Sequence, residues 1–375
     1  MVLGVSLREV VVGASFRATT SLEYSLYMTS GHDTSENDEA GVTKLLIVGS
    51  GATGTRVARQ ILSTSPNVEV AMSDDAPGVA ESAARSLGSS VLSNPPDTTD
   101  FAAVVIATRA ESHAEIAQRY LSRAQVIISV GDSIGDVRDL LDLDEQAKAN
   151  DCRVVVGAGM MPGLSNVLAA HGRQWFDEVR EIHVAKFGTG GPDCARQHHR
   201  SLKGLCFDWR DDQWQRRPGG SGRELAWFPS PVEAADCYRA ALGDPLLLIR
   251  VHPNVERITS RMAATRRDRL TMNLPMLRNP HPEGLLGAVR VELRGTKDGG
   301  QVELVLGSAE RPAVAAGAVA ASAVEALLTS SDEPALTEPG SKGLAEWVEP
   351  RAFLHSVRDR GVRSEIFIGA DETYD

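Results

Sequence analysis

Residues 188–200 read Gly188-Thr189-Gly190-Gly191-Pro192-Asp193-Cys194-Ala195-Arg196-Gln197-His198-His199-Arg200. Arg196 and Arg200 stand four apart and would share one face of a helix. Arginine binds carboxylates through paired hydrogen bonds, so these two point to an anionic, small-molecule substrate. His198 and His199 lie between them, and histidine is the side chain most often used for proton transfer near neutral pH. The competing reading is a solvated loop or a subunit contact. His113 is a further candidate for proton transfer. It opens a helix after the fourth strand, at the carboxyl edge where open α/β sheets bind ligands, and the positive end of that helix would keep its imidazole neutral. Lys186, near a strand end, is a candidate substrate contact. Asp132 and Ser133 follow the fifth strand, where Asp132 is expected to cap the next helix rather than line a pocket. Trp209, Trp214, Trp227 and Phe228 read as core or interface rather than pocket wall.

A second constellation binds rather than reacts. Gly49-Ser50-Gly51-Ala52-Thr53-Gly54 follows the apolar run LLIV and precedes TRVARQIL. In a G-x-G-x-x-G turn the first glycine makes the bend, the second admits a pyrophosphate, and the third packs helix on strand. The helix start then offers unpaired N–H groups and a positive dipole end to phosphates. The acid that would hold ribose hydroxyls belongs about 20 residues further on. Asp74 stands there, with Asp75 beside it, and no arginine follows to hold a 2′-phosphate. NAD is therefore preferred over NADP. Thr108, closing the fourth strand, and Gly159, after the sixth, complete the expected cofactor contacts.

These residues need a scaffold. Strands are predicted over 44–48, 68–72, 90–92, 102–108, 125–130 and 153–157, with helices over 54–63, 77–87, 112–122 and 136–150. That alternation implies a Rossmann domain, an α/β doubly wound parallel sheet, over 42–160. A second α+β domain over 161–310, for substrate binding and dimerisation, would contain an antiparallel sheet with one exposed face. Its predicted strands are 179–187, 246–252 and 257–265, and the hairpin 288–306 turns at Asp298-Gly299. A small-residue helix over 311–330 starts at Pro312 and returns to the first domain. Residues 331–375 read as a tail, linker-like to 342, with a helix over 344–360. Residues 29–41 are polar and acidic, and residues 1–41 read as disordered.

Composition narrows the function classes. The chain has 375 residues and a formal net charge of −11, which argues against nucleic-acid or anionic-membrane partners. The most apolar stretch, 312–328, reads as too short and too weakly apolar to span a membrane. Cys152, Cys194, Cys206 and Cys237 form no metal-ligand spacing, so no metal is expected. Free thiols fit a reducing, cytoplasmic setting. A homodimer is expected from the half-exposed sheet.

Three stretches resemble a known family. They are the GSGATG turn, VVIATRAESH ending at His113, and GAGMMPGLSNVLAA at 157–170. Together they make 45–328, about three quarters of the chain, resemble the saccharopine dehydrogenase-like oxidoreductases. The resemblance implies an NAD(P)-dependent oxidoreductase acting on the C–N bond of an amino-acid-derived carboxylate. It also marks a departure. Family members that make or cleave saccharopine have an aspartate just before the Pro-Gly, where this chain has Met161, expected to contact substrate. Their following Asp-His is Ser165-Asn166. Methionine cannot move a proton, so this chain is not read as a saccharopine dehydrogenase itself. The alternatives are a cofactor-binding protein without redox turnover, or a carbonyl or alkene reductase of specialised metabolism.

Overall fold

The computed structural model describes residues 42–65, 67–88, 91–96, 98–276, 279–329 and 337–367. The disorder expected over 1–41 lies outside them. The first layer follows from short runs of Leu, Ile and Val that are apolar throughout, the signature of strands buried on both faces. The strands are β1 (Thr43–Val48), β2 (Val68–Ser73), β3 (Leu92–Ser93), β4 (Phe101–Ile106), β5 (Ala124–Ser129) and β6 (Arg153–Val156). They pair in parallel in the order β3-β2-β1-β4-β5-β6, the doubly wound order that leaves a ligand crevice at the strands' carboxyl ends. Between them run α1 (Ala52–Thr64), α2 (Val79–Leu87), α3 (His113–Tyr120), α4 (Ile134–Leu141) and α5 (Asp144–Ala149). The single helix expected over 136–150 is therefore two.

After β6, α6 (Leu164–Gly172) leads into a second, nine-stranded sheet. Its central strand is β7 (Glu178–Phe187), followed by α7 (Pro192–Ser201) and the strands β8 (Leu205–Arg210), β9 (Gln213–Pro218), β10 (Glu224–Phe228) and β11 (Glu233–Arg239). Then come α8 (Asp244–Val251), β12 (Arg257–Ala263) and α9 (Arg266–Thr271). The predicted hairpin is β13 (Gly287–Lys297) with β14 (Gly300–Glu310). Asp298 and Gly299 both turn through positive φ, 50° and 76°, as a two-residue hairpin turn demands. The sheet is mixed rather than antiparallel throughout, because β12 lies parallel to β7.

Two expected elements differ. The segment expected as a strand over 246–252 instead lies in helix α8, which ends at Val251. A short apolar run cannot be assigned by periodicity alone, and Pro245 at the first turn decides for a helix. Part of the expected linker is β15 (Gly340–Gly343), which extends the first sheet by pairing parallel to β6. It is followed by α11 (Leu344–Trp347), α12 (Pro350–Asp359) and β16 (Glu365–Ile366). Trp347 is fully buried, and its Nε1 donates to the Val154 and Lys342 carbonyls at 3.3 and 3.2 Å. Helix α10 (Pro312–Thr329) packs on α1 as expected. Its 18 residues and mean hydropathy of 1.5 do meet the length and composition of a membrane span. Its buried Ala315, Ala318 and Val319 nevertheless place it in the core that joins both sheets.

Candidate functional site

A cleft of about 930 Å³ opens at the carboxyl ends of β1, β2, β4 and β5, near the upper limit of about 300–1,000 Å³ usual for ligand sites. At one end, Gly51 precedes α1. A Cβ on Gly51 would meet nothing within 4 Å, whereas one on Gly54 would lie 1.8 Å from the Gly49 carbonyl oxygen. Gly51 thus leaves an open face, and Gly54 permits the close packing that holds it. No side chain caps α1 and no acid sits in its first turn, which leaves an N-terminus suited to an anion. Gly49, Gly51, Ala52 and Thr53 line the cleft, while Ser50 and Gly54 stand behind it.

Strand β2 ends at Ser73, so Asp74 is the first residue beyond it. Asp74 accepts the Ser50 N–H at 2.7 Å and the Ala76 N–H at 3.0 Å. It braces the glycine turn while facing the cleft. Asp75 also lines the cleft and pairs with Arg109 at 2.7 Å. An arginine therefore does stand beside Asp75, contrary to expectation. It comes from the turn after β4, so the text following β2 could not show it. Thr108 and Gly159 line the cleft. The Thr108 hydroxyl meets that of Ser112 at 2.9 Å.

His113 borders the cleft but is buried and fully engaged. Its Nδ1 meets the Ser129 hydroxyl at 2.8 Å and its Nε2 faces the Thr108 carbonyl at 3.3 Å. Burial lowers its pKa, against the opposing pull of Asp136. Its geometry is that of a brace between β5 and the β4 turn.

The inner end of the cleft is polar. Lys186, at the end of β7, is buried and donates from Nζ to Asp132 Oδ2 at 2.8 Å. Burial works against its charge, but Asp132, together with Cys194 and Asp244, outweighs it and holds the pKa above the ordinary lysine value. Asp132 is thus an ion-pair partner. The helix cap expected of it is made by Ser133, whose hydroxyl accepts the Asp136 N–H at 3.0 Å. Cys194 and Gln197 of α7 border the same end. Burial, then the nearby Asp132 carboxylate, raises the Cys194 thiol's pKa. The Gln197 Oε1 is buried without a partner.

The Arg196–Arg200 segment is helical as expected, yet its cations and histidines do not line the cleft. Arg196 pairs with Asp193, and Arg200 is exposed. His199 Nε2 reaches the Thr271 and Leu274 carbonyls. His198 Nε2 reaches the Ala263 carbonyl at 3.1 Å, and burial, aided by Lys186, lowers its pKa to about 4. These two histidines tie α7 to β12 and to the turn after α9. Helical periodicity instead turns Cys194 and Gln197, three apart, toward the cleft. No cluster of three or more metal-ligating side chains occurs among the described residues.

Met161 does line the cleft. Beside it, Asn166 accepts the Gly163 N–H at 3.0 Å, and Ser165 donates to the fully buried Asp244 at 2.6 Å. Burial lifts the Asp244 pKa to about 6. Sequence alone offered no sign of Asp244, since its partners lie far along the chain.

No protein-family model and no curated protein matches the sequence. Solved structures do match in shape. DAP dehydrogenase from C. glutamicum aligns at a TM-score of 0.46 and 14% identity, over 84% of this chain and 96% of that one. A DAPDH variant from Clostridium tetani gives 0.46 and 15%, over 83% and 95%. Saccharopine dehydrogenase (L-Glu forming) from Saccharomyces cerevisiae aligns at a TM-score of 0.61 and 11% identity, over 87% of this chain and all of that one. The chain therefore shares its fold with saccharopine dehydrogenase across both sheets.

Proposed function

We propose that this protein is an NAD(P)-dependent oxidoreductase whose substrate binds beside Lys186 and Asp132. The observation that carries the reading is continuity: one cleft runs from the open face of Gly51 to that buried ion pair. Gly49, Gly51, Ala52 and Thr53 would hold the pyrophosphate, and Asp74 the adenosine ribose. Thr108 and Gly159 would border the remainder of the cofactor. A bound nicotinamide would supply hydride exchange with a substrate carbon.

The chain's own part is charge and proton handling. Lys186, kept protonated by Asp132, would donate a hydrogen bond to the substrate nitrogen or oxygen that gains electron density, and a proton as the bond order falls. Asp132 fixes the ammonium and offsets the cost of burying it. This pair would take over the task that Met161 cannot perform. The finer reading is reaction at the C–N bond of an amino-acid-derived carboxylate. The resemblance at the Pro162-Gly163 junction and the fold shared with saccharopine dehydrogenase support it. Lys186 would serve a carbonyl oxygen equally well, which keeps carbonyl reduction as the second reading.

The test is NADH and NADPH consumption with a 2-oxo acid alone, an amine alone, and both together, across a panel of amino acids as amines. Consumption that requires both partners is expected. Consumption with the carbonyl compound alone would sink the C–N reading. Cofactor binding without consumption anywhere on the panel would favour a protein without redox turnover.

A further inference from the structure

Arg109 and Asp75 meet on the rim of the cleft from two different turns, after β4 and after β2. Their neighbour Asp74 is tied to two backbone N–H groups and cannot leave. Asp75 and Arg109 are both well exposed, 75% and 66%. An exposed ion pair is weakly held, so either partner can exchange it for a stronger one. At this end of a dinucleotide cleft the deciding group is the ribose 2′ substituent. Carboxylates disfavour a phosphate there, and an arginine welcomes it. Here the cleft carries both, neutralising each other. The cleft's other arginine, Arg119, pairs with Glu115 on its own helix.

We infer that the Asp75–Arg109 ion pair sets this protein's choice between NADH and NADPH. Asp75 neutralises the guanidinium and so cancels its pull on a 2′-phosphate. Releasing Arg109 opens the site to NADPH. The inference rests on the cofactor cleft proposed above and goes beyond it by assigning the residues that discriminate.

The experiment measures dissociation constants for NADH and NADPH with the full chain, Asp75→Asn, and Asp75→Asn combined with Arg109→Ala. The wild type should bind NADH more tightly. Asp75→Asn should lower the ratio of the NADPH to the NADH constant about tenfold, and adding Arg109→Ala should restore it. An unchanged ratio in Asp75→Asn would overturn the inference. So would tighter NADPH binding by the wild type, or an Arg109→Ala effect equal for both cofactors, which would place Arg109 on a part they share. Binding of neither cofactor by the folded wild type would overturn the cleft's proposed role, and this inference with it.

Discussion

Lys186 is the residue on which the proposed chemistry turns. Its ammonium is buried beside the one carboxylate 2.8 Å away. Lys186→Met should lower turnover by about 10²–10⁴-fold, the usual worth of a positioned proton donor, while leaving the cofactor dissociation constant within about threefold. Parallel losses in both would mark Lys186 as structural. His113 should behave differently. Because it braces the Thr108 turn through both ring nitrogens, His113→Ala should weaken cofactor binding about tenfold without removing a limb from the pH–rate profile. A lost limb would make His113 an acid–base group after all. Single residues were only partly legible in the sequence. Asp74, His113 and Lys186 do border the cleft, since Asp74 follows β2, His113 opens the helix after β4 and Lys186 lies at the end of β7. The pairing of Lys186 with Asp132, 54 positions apart, is set by how β7 meets the β5 turn, and no local pattern records that. Arg196, His198, His199 and Arg200 had suitable chemistry, but none of them lines the cleft.

At the scale of elements, the junction of β1 with α1 separates binding from folding. Gly54→Ala would drive a Cβ to within 1.8 Å of the Gly49 oxygen, and should cost at least about 1–3 kcal/mol of stability. Gly51→Val, placed in open space at a φ of −72°, should leave stability within about 0.5 kcal/mol. Urea denaturation of both variants checks this, and equal destabilisation would contradict the assigned roles. The β15 edge makes a second case. Trp347→Ala should cost about 3–5 kcal/mol, because the indole is fully enclosed and bonded to the β6 backbone. A loss below about 1 kcal/mol would argue that β15 is dispensable to the first sheet. The parallel strands and the β13–β14 hairpin were legible from apolar runs and the Asp298-Gly299 turn. Strand β15 was not, because its sequence Gly-Ser-Lys-Gly carries no alternation and its identity comes from docking on β6.

Across the whole molecule, burial of titratable groups sets how stability depends on pH. Burial lowers His252, as it does His198, to about 4. Unfolded histidines take their proton near about 6.5. The stability these two contribute is therefore present above about 6.5 and lost as pH falls through about 4. Asp244 works in the opposite sense: raised to about 6 from an ordinary 3.8, its contribution is complete below 3.8 and lost as pH rises through about 6. His252→Gln should flatten the acid limb of a stability–pH curve between pH 6.5 and 4 by up to about 1.4 kcal/mol per pH unit. An unchanged slope would show that His252 takes up its proton in the folded state.

The same whole-molecule view frames the central claim. Strand β7 and helix α7 bring Lys186, Cys194 and Gln197 to the carboxyl edge of the first sheet, and α10 and β15 pack against the first sheet, so the phosphate turn and the ion pair face one cleft. Titration of NADH into the full-length protein and into Gly51→Val, followed by calorimetry, tests this most directly. The account predicts saturable one-to-one binding by the wild type and at least a hundredfold loss in a Gly51→Val protein that remains folded. No binding by the wild type, or equal binding by both, would contradict it.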